Sequence, residues 1–448
     1  MFSKILIANR GEIAIRIIRA CKEMGILTVA VFSTADADAL HVTLADESYC
    51  IGPPNVKDSY LNMSAILSVA LASRAEAIHP GYGFLSENAE FAALCEKYEI
   101  SFIGPPSEVI SKMGDKDEAR RTMKNAGVPV IPGSDTVSDI SEAKKEAKKI
   151  GYPLLVKARS GGGGRGIRLV SEESEFDRAF YAAANEAKAA FGDEGVYLEK
   201  FLFPARHIEM QLLCDDFGNI VCMGERECSV QRKNQKLIEE SPSPAVTDKM
   251  RKEMTEISLK AAAAAKYRGA GTIEFLLDSD GKFYFMEMNT RLQVEHPVTE
   301  MVTGVDLVKW QIRIAAGLQL DFRNEDVVLR GHAIECRINA ENPVRDFCPC
   351  CGKVTLLHIP GGPWVRFDTA LYQDYIVPPF YDSLIGKLIV HAKTREEAIR
   401  KMRSSLCELV IEGVGHNQDY QMELLTRREF ESGDYTTGTF VKQGVKDV

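Results

Sequence analysis

Apolar and polar positions follow two periods in the first third of the chain. Residues 4–8 form a short apolar run typical of a buried strand. Residues 11–24 repeat apolar side chains at helical spacing, and residues 26–33 again have strand character. Because this alternation continues, it predicts a parallel sheet with crossover helices, a Rossmann-like domain over residues 1–113.

Breaker-rich segments divide the rest of the chain. Residues 127–133 contain two glycines and two prolines and predict a boundary. After a small helix-and-strand segment, strands dominate residues 206–289, apart from one long helix, and a mixed region follows. We expect an α/β protein with domains at residues 1–113, 114–330 (which includes a lid at about 134–203) and 331–448.

Composition and charge narrow the class of protein. Of the 448 residues, 45% are hydrophobic and 27% are charged, as in globular proteins. The formal net charge of −9 argues against a nucleic-acid binder that relies on a basic surface. No secretory signal or apolar run of membrane-spanning length is visible. We therefore expect a cytoplasmic protein without nucleic-acid or membrane partners.

The turn after the first strand bears on nucleotide binding. Residues 8–12 read Ala-Asn-Arg-Gly-Glu. They lack the G-x-G-x-x-G pattern that lets a backbone approach a pyrophosphate. The sequence therefore disfavours a nicotinamide-cofactor dehydrogenase.

A glycine-rich segment lies between two apolar stretches of strand character. Glycines at 161–164 and 166 have no Cβ, so their amides can approach a phosphate closely. Three cations flank or interrupt them: Lys157, Arg165 and Arg168. A P-loop would end in Gly-Lys-Ser/Thr and open a helix, which this segment does not. We interpret it as a mobile hairpin lid over a nucleotide, the alternative being a flexible surface linker.

A β-hairpin is predicted around Asp-Gly at residues 280–281, a favoured two-residue turn. With that turn, Glu274 lies opposite Glu287 and Thr272 opposite Asn289. Like charges directly opposite each other are destabilising unless something compensates them. Mg²⁺ compensates well, because it prefers one or two carboxylates together with phosphate oxygens. We therefore predict a metal site here rather than two unrelated solvent-facing glutamates.

Polar residues continue at even spacing beyond this hairpin. If the chain stays extended, Arg291, Gln293 and Glu295 share the strand face of Glu287 and Asn289. Such a row is unusual for a purely structural strand. It predicts one wall of a polar active site.

Two further polar segments are ambiguous on their own. Residues 224–240 are dense in charge, and a solvated loop is the default interpretation. Residues 79–88 follow a strand end, where ligands often bind in open α/β sheets. A purely conformational turn explains residues 79–88 equally well.

Most of the eleven cysteines lie in apolar runs, as small core residues do. The exception is the cluster of Cys348, Cys350 and Cys351. A zinc site would need a second ligand pair, and only His358 lies near. We favour a reduced loop in which Pro349 and a following glycine keep a turn.

Five segments together resemble the biotin carboxylase family within the ATP-grasp superfamily, over nearly the whole chain. They are Ile-Ala-Asn-Arg-Gly-Glu-Ile-Ala (7–14), His-Pro-Gly-Tyr-Gly-Phe-Leu-Ser-Glu-Asn (79–88), the glycine run (161–166), Glu-Met-Asn-Thr-Arg-Leu-Gln-Val-Glu-His-Pro-Val-Thr-Glu (287–300) and Gly-His-Ala-Ile-Glu-Cys-Arg-Ile-Asn-Ala (331–340). The resemblance implies an ATP-grasp domain in the centre. It also implies that ATP and bicarbonate give carboxyphosphate, which carboxylates biotin on a carrier protein.

The resemblance also implies roles for individual residues. The catalytic group comprises Glu295 as the base for bicarbonate, Arg337 as the cation for the biotin enolate, and Arg291 and Lys236. Bicarbonate is expected to contact Lys236, Arg291, Gln293 and the backbone of Val294. Glu274, Glu287 and Asn289 are expected to bind Mg²⁺ or Mn²⁺. The nucleotide is expected to contact Lys116, Lys157, Gly163, Gly164, Glu199, Lys200, Leu202, His207, Gln231, Asn234, Glu274 and Glu287.

Two positions depart from the family pattern. Asn234 stands where relatives often carry histidine, so its nucleotide contact is open. The cysteine cluster replaces a proline- and serine-containing turn. The chain shows no Ala-Met-Lys-Met-like biotinylation site. We therefore expect one component of a larger complex that meets a biotin carboxyl carrier protein and carboxyltransferase subunits. The resemblance also implies a homodimer.

Acetyl-CoA carboxylase, which serves fatty acid synthesis, is the expected complex. The biotin carboxylase component of a pyruvate or other acyl-CoA carboxylase, or another ATP-grasp ligase, is the alternative within the enzymes. A nucleotide-binding regulatory protein without catalysis is the alternative outside them, and the set of Lys236, Arg291, Glu295 and Arg337 argues against it.

Overall fold

The N-terminal region is an open parallel sheet covered by helices. A computed structural model describes residues 1–158, 167–191 and 195–440. Its first five strands are β1 (Lys4–Ile7), β2 (Leu27–Ser33), β3 (Glu47–Gly52), β4 (Ala77–His79) and β5 (Ser101–Phe102). They pair in parallel in the order β3-β2-β1-β4-β5. The predicted Rossmann-like arrangement is confirmed.

Helices connect these strands and lead out of the region. They are α1 (Gly11–Glu23), α2 (Leu40–Leu44), α3 (Met63–Ser73), α4 (Ala89–Lys97), α5 (Ser107–Gly114) and α6 (Lys116–Asn125). The side chains of Ile5, Leu6 and Ile7 are fully buried. This is why β1 is apolar after Lys4: a central parallel strand with helices on both faces has no solvent side.

A small three-stranded antiparallel sheet follows. Its elements are α7 (Ile140–Ile150), β6 (Leu154–Ala158), β7 (Ile167–Val170), α8 (Phe176–Phe191) and β8 (Val196–Lys200), with the strands in the order β7-β6-β8. The strands on either side of the glycine-rich segment therefore pair as a hairpin. The glycine run itself, with Gly163, Gly164 and Arg165, lies outside the described residues.

An eight-stranded sheet forms the centre of the molecule, in the order β13-β12-β9-β10-β11-β14-β21-β19. Its strands are β9 (Ala205–Cys214), β10 (Ile220–Arg232), β11 (Gln235–Ser241), β12 (Gly269–Asp278), β13 (Phe283–Asn289), β14 (His332–Asn339), β19 (Val365–Thr369) and β21 (Leu384–Ala392). This sheet continues across residue 330. The domain limits stay predictions.

The remaining elements surround that sheet. The helices are α9 (Asp248–Ala265), α10 (His296–Thr303), α11 (Leu307–Ala315), α12 (Arg395–Glu408), α13 (Gln418–Thr426) and α14 (Arg428–Ser432). The short strands are β15 (Glu341–Asn342), β16 (Cys348–Pro349), β17 (Gly352–Lys353), β18 (Leu356–His358), β20 (Ile376–Val377) and β22 (Val410–Glu412). The mixed α/β C-terminal region is thus confirmed. None of the described helices has the length and apolar character needed to cross a membrane.

The hairpin of β12 and β13 differs from its prediction at the turn. Leu277 pairs with Phe283, and Asp278 N–H donates to Lys282 O over 2.9 Å. The loop therefore holds three residues, ending at Gly281 with φ +77°, and the predicted two-residue turn is wrong. A register shift between Glu274 and the next residue compensates for the extra position. The predicted pairs at Glu274 and at Thr272 are therefore still formed.

Candidate active site

Two neighbouring strands bring the predicted metal ligands together. Glu274 pairs directly with Glu287, and Asn289 Nδ2 donates to Glu274 Oε1 over 2.6 Å. Withdrawal from water and the facing charge of Glu274 raise the pKa of Glu287. Within the described residues, the Glu287 carboxylate accepts no hydrogen bond. Paired carboxylates with a free oxygen and an adjacent amide suit a hard cation such as Mg²⁺ or Mn²⁺.

Glu274 is surrounded by donors on its inner side. His207 Nε2 lies 3.0 Å from Glu274 Oε2, and Lys236 Nζ lies 3.1 Å from Oε1. Gln293 Nε2 donates to the same Oε1 over 2.7 Å. Burial alone would raise the pKa of Glu274, but the charges of Lys236 and His207 lower it well below its usual value. The carboxylate is therefore ionised and available to a metal ion.

Lys236 connects the metal side of the site with the proposed base. It lies near the start of β11, and its ammonium contacts Glu209, Glu274 and Glu295, the last at 2.7 Å. Burial would lower the pKa of Lys236, but these carboxylates raise it well above its ordinary value. The residue therefore remains a cation inside the protein, which a pocket for an anion requires.

Glu295 lies between two cations. Its Oε2 accepts from Arg337 over 2.9 Å, and Arg337 Nε also donates to Glu239 Oε1 over 2.6 Å. Burial would raise the pKa of Glu295, but Lys236 and Arg337 lower it below its usual range. The group is therefore a carboxylate that can accept a proton. On its own it is a weak base, so the proton that it takes must be acidified by neighbouring cations.

The chain between β13 and α10 does not stay extended. β13 ends at Asn289, and Glu295 has φ −81° and ψ 9° at the start of α10. The expectation of one continuous strand face through Glu295 is therefore wrong. The side chains of Gln293 and Glu295 still converge on Lys236 and Glu274, because the turn directs them inward.

The rest of the predicted bicarbonate cradle lies on this turn. Arg291 Nε donates to Glu87 Oε2 over 2.8 Å, so residues 79–88 do reach the site. Within residues 79–88, the carbonyls of Pro80 and Tyr82 accept hydrogen bonds from Asn9 Nδ2, so this segment also has a conformational role. Val294 O accepts from Lys387, and its N–H donates to none of the residues that the structure describes.

Five of the predicted nucleotide contacts form two groups. Gln231 Nε2 lies 3.0 Å from His207 Nδ1, next to the metal ligands. In the lid, Lys157 pairs with Glu199, and Lys200 Nζ donates to the carbonyls of Gly151 and Tyr152.

Three predicted nucleotide residues lie at the edges of the site. Lys116 is the first residue of α6, and its charge partly offsets the rise in the pKa of Glu287. Leu202 follows β8 and is half-buried. Asn234 lies in the exposed turn between β10 and β11 with φ +62°.

Sequence reasoning missed a buried layer beneath these residues. The segment at 224–240 is not a solvated loop: β10 and β11 cover most of it, and Glu225, Arg226 and Glu227 are buried. Glu209 on β9 contacts both Lys236 and Arg226. His207, Glu209 and Gln211 alternate with apolar residues along β9, which indicates buried polar side chains but does not identify their partners.

Three family descriptions match successive parts of the chain. "Biotin carboxylase, N-terminal domain" matches residues 1–110, "Carbamoyl-phosphate synthase L chain, ATP binding domain" matches residues 115–323, and "Biotin carboxylase C-terminal domain" matches residues 335–442. These ranges together span nearly the full sequence.

Relatives that align over nearly the whole chain agree with these matches. Biotin carboxylase 1 of Bacillus subtilis is 54% identical over 439 residues, 98% of each chain. A pyruvate carboxylase subunit of Methanothermobacter thermautotrophicus is 53% identical over 98% of this chain and 89% of its own. The biotin carboxylase domain dimer of Hydrogenobacter thermophilus 2-oxoglutarate carboxylase, solved with MgADP, ADP and bicarbonate, is 51% identical, with a TM-score of 0.93 over 98% of this chain and 97% of its own. The chain therefore belongs to the biotin carboxylase family.

Proposed function

We propose that this ATP-dependent ligase carboxylates biotin attached to a separate carrier protein, as the first half-reaction of an acetyl-CoA carboxylase. The observation that carries the proposal is the largely buried contact series Glu274–Lys236–Glu295–Arg337. It joins the metal carboxylates to the cation proposed for biotin. A nucleotide-binding protein without catalysis has no need for a buried base held between two cations.

The residues of this series divide the chemistry among them. Lys236, Arg291, Gln293 and the Val294 N–H hold bicarbonate beside the terminal phosphate of ATP, because two anions need fixed donors to approach each other. Glu295 takes the bicarbonate proton, and the freed oxygen attacks the phosphate to give carboxyphosphate and ADP. The ureido nitrogen of biotin then attacks the carboxyl carbon of carboxyphosphate, phosphate leaves and takes the ureido proton, and Arg337 stabilises the enolate charge that forms on biotin.

Metal and nucleotide residues complete the site. Glu274, Glu287 and Asn289 are the proposed ligands of Mg²⁺ or Mn²⁺, which neutralises phosphate charge when bound. The proposed nucleotide contacts are Lys116, Lys157, Gly163, Gly164, Glu199, Lys200, Leu202, His207, Gln231 and Asn234. Burial opposes the positive charge of His207, but the Glu274 carboxylate outweighs it and the pKa of His207 rises to about 9. The imidazole is therefore a cation near neutral pH and suits a phosphate neighbour.

We propose that the protein acts as a homodimer together with a biotin carboxyl carrier protein and carboxyltransferase subunits. The dimeric Hydrogenobacter relative supports the dimer. The similarity to the Methanothermobacter pyruvate carboxylase component supports the alternative that the complex carboxylates pyruvate. Reconstitution with carrier and transferase subunits of each type, followed by transfer of labelled bicarbonate to acetyl-CoA or pyruvate, separates the two.

An ATPase assay tests the half-reaction itself. Release of ADP should depend on bicarbonate and rise strongly when free biotin is added. Phosphate release with another acceptor, but none with biotin, would indicate a different ATP-grasp ligase. Nucleotide binding without bicarbonate-dependent turnover would contradict catalysis altogether.

A further inference from the structure

Arg226 is a fully buried cation beneath the bicarbonate cradle. It lies on β10 directly opposite Glu209 on β9. Its guanidinium donates to five acceptors from three parts of the chain: Glu209 at 3.1 Å, Gln211 at 2.7 Å, Thr272 at 3.1 Å, Thr299 at 3.0 Å and Gln293. A planar fork with five donors is fully used only at a site shaped around it.

The contact with Gln293 determines which end of that amide faces the site. Arginine has donors and no acceptor, so the atom that it contacts must be the amide oxygen. Gln293 Oε1 is therefore turned toward Arg226, and Nε2 faces Glu274 and Glu209, at 2.7 and 3.4 Å. The side chain thus presents an NH₂ group on the side where Lys236 and Glu295 lie. An anion needs donors, and the opposite orientation would present a carbonyl oxygen that repels it.

We propose that Arg226 is a positioning residue for the carboxylation reaction: it fixes the Gln293 amide with its donor end toward bicarbonate. The inference rests on the proposed function, because it takes Gln293 as a bicarbonate contact. Arg226 itself touches neither bicarbonate nor ATP in this role. Its loss therefore weakens bicarbonate binding and leaves nucleotide binding intact.

Arg226→Lys tests the inference, since lysine keeps a positive charge beside Glu209 but cannot form the fork. The KM for bicarbonate should rise about tenfold, as expected when a hydrogen bond to a charged group is lost, while the KM for ATP stays within about twofold. Arg251→Lys is the matched control. Arg251 also pairs with a buried carboxylate, Glu225, through two hydrogen bonds of 2.7 and 2.8 Å, but this pair lies away from the site. An unchanged bicarbonate KM in Arg226→Lys, or an equal rise in the control, overturns the inference.

A double-mutant cycle with Gln293→Ala separates positioning from a general loss of structure. If Arg226 acts through Gln293, Arg226→Lys should change the bicarbonate KM by less than about twofold when Gln293 is already alanine. Additive effects overturn the inference. If Arg226→Lys does not fold, Thr299→Val replaces it in the cycle, because this change removes one acceptor of the Arg226 guanidinium. The KM for bicarbonate of Thr299→Val should rise about threefold. A wild-type enzyme without bicarbonate-dependent turnover contradicts the proposed function, whereas a normal wild type with an additive cycle contradicts only the role of Arg226.

Discussion

Arg337 and Glu295 form a partly buried ion pair of 2.9 Å although 42 positions separate them in the sequence. The same carboxylate also accepts from Lys236 over 2.7 Å. The proposed base for bicarbonate is therefore held between the cation proposed for biotin and a cation proposed for bicarbonate. One carboxylate thus connects the residues proposed for carboxyphosphate formation with the residue proposed for biotin carboxylation.

Replacing Glu295 by glutamine should remove most turnover. A carboxamide keeps the size and one acceptor but cannot take a proton from bicarbonate. We expect bicarbonate-dependent ADP release to fall at least about 100-fold, the usual contribution of a general base. Calorimetric titration with ATP should give a dissociation constant close to that of the wild type. Near-normal turnover would refute the assignment of Glu295 as base.

Replacing Glu287 by glutamine should raise the metal requirement. The change removes one of two facing carboxylates and leaves Glu274 with its donors. We expect the Mg²⁺ concentration for half-maximal activity to rise about tenfold. Asp280→Asn, in the loop of the same hairpin, is a control that removes a charge away from the site. An unchanged Mg²⁺ dependence in Glu287→Gln would count against the metal site.

The hairpin shows how far sequence reasoning reaches. The alternation of strands and helices predicted the parallel sheet, and the apolar runs predicted β12 and β13. The Glu274–Glu287 pair was predicted correctly from a wrong turn, because a longer loop and a bulge offset each other. Turn length and bulges depend on local backbone geometry, which an Asp-Gly pair does not determine.

The buried polar layer was beyond prediction for another reason. Arg226 donates to acceptors at positions 209 and 211, at 272, and at 293 and 299, which are three separate parts of the chain. Charge density alone favoured a solvated loop there, since isolated charges are rarely buried. Only the order of strands in the central sheet reveals that partners are available.

Glu239 should make stability depend on pH. Burial is the main cause that raises its pKa from 4.5 to about 7, with Arg337 opposing and Glu295 adding to the rise. Between these values the folded state keeps a proton that the unfolded state has lost. The contribution of Glu239 to the free energy of unfolding is therefore fully present below about pH 4.5 and is lost as the pH rises through about 7.

Glu239→Gln cannot titrate and should lack this dependence. We expect the free energy of unfolding of the variant, relative to the wild type, to increase between about pH 5 and about pH 7.5. Urea titrations of both proteins at each pH measure the difference. Glu412→Gln, at an exposed position of β22, provides the control. Parallel curves for wild type and Glu239→Gln would show that Glu239 titrates normally.

The cysteine cluster should be dispensable. Cys348 and Cys351 are exposed, and among the described residues their sulfur atoms do not gather with a third metal ligand. We expect Cys348→Ser with Cys351→Ser to change the unfolding free energy by less than about 0.5 kcal/mol and to leave turnover unchanged. Elemental analysis should find no zinc in the wild type. One zinc ion per chain, absent from the double variant, would establish the metal site instead.

Asn234 lies in a tight turn and is also a proposed nucleotide contact, and substitution can separate the two roles. Asn234 has φ +62° and Lys233 has φ +48°, between the paired residues Arg232 and Gln235, which is a two-residue hairpin turn of the type that favours asparagine and glycine. Asn234→Gly keeps this backbone and removes the side chain, so unfolding should be nearly unchanged while the KM for ATP rises about threefold through loss of one hydrogen bond. Asn234→Ala should show the same KM and an additional loss of about 1 kcal/mol of stability, because alanine is strained at positive φ. A wild-type KM for ATP in both variants would leave Asn234 a turn residue only and remove it from the nucleotide site.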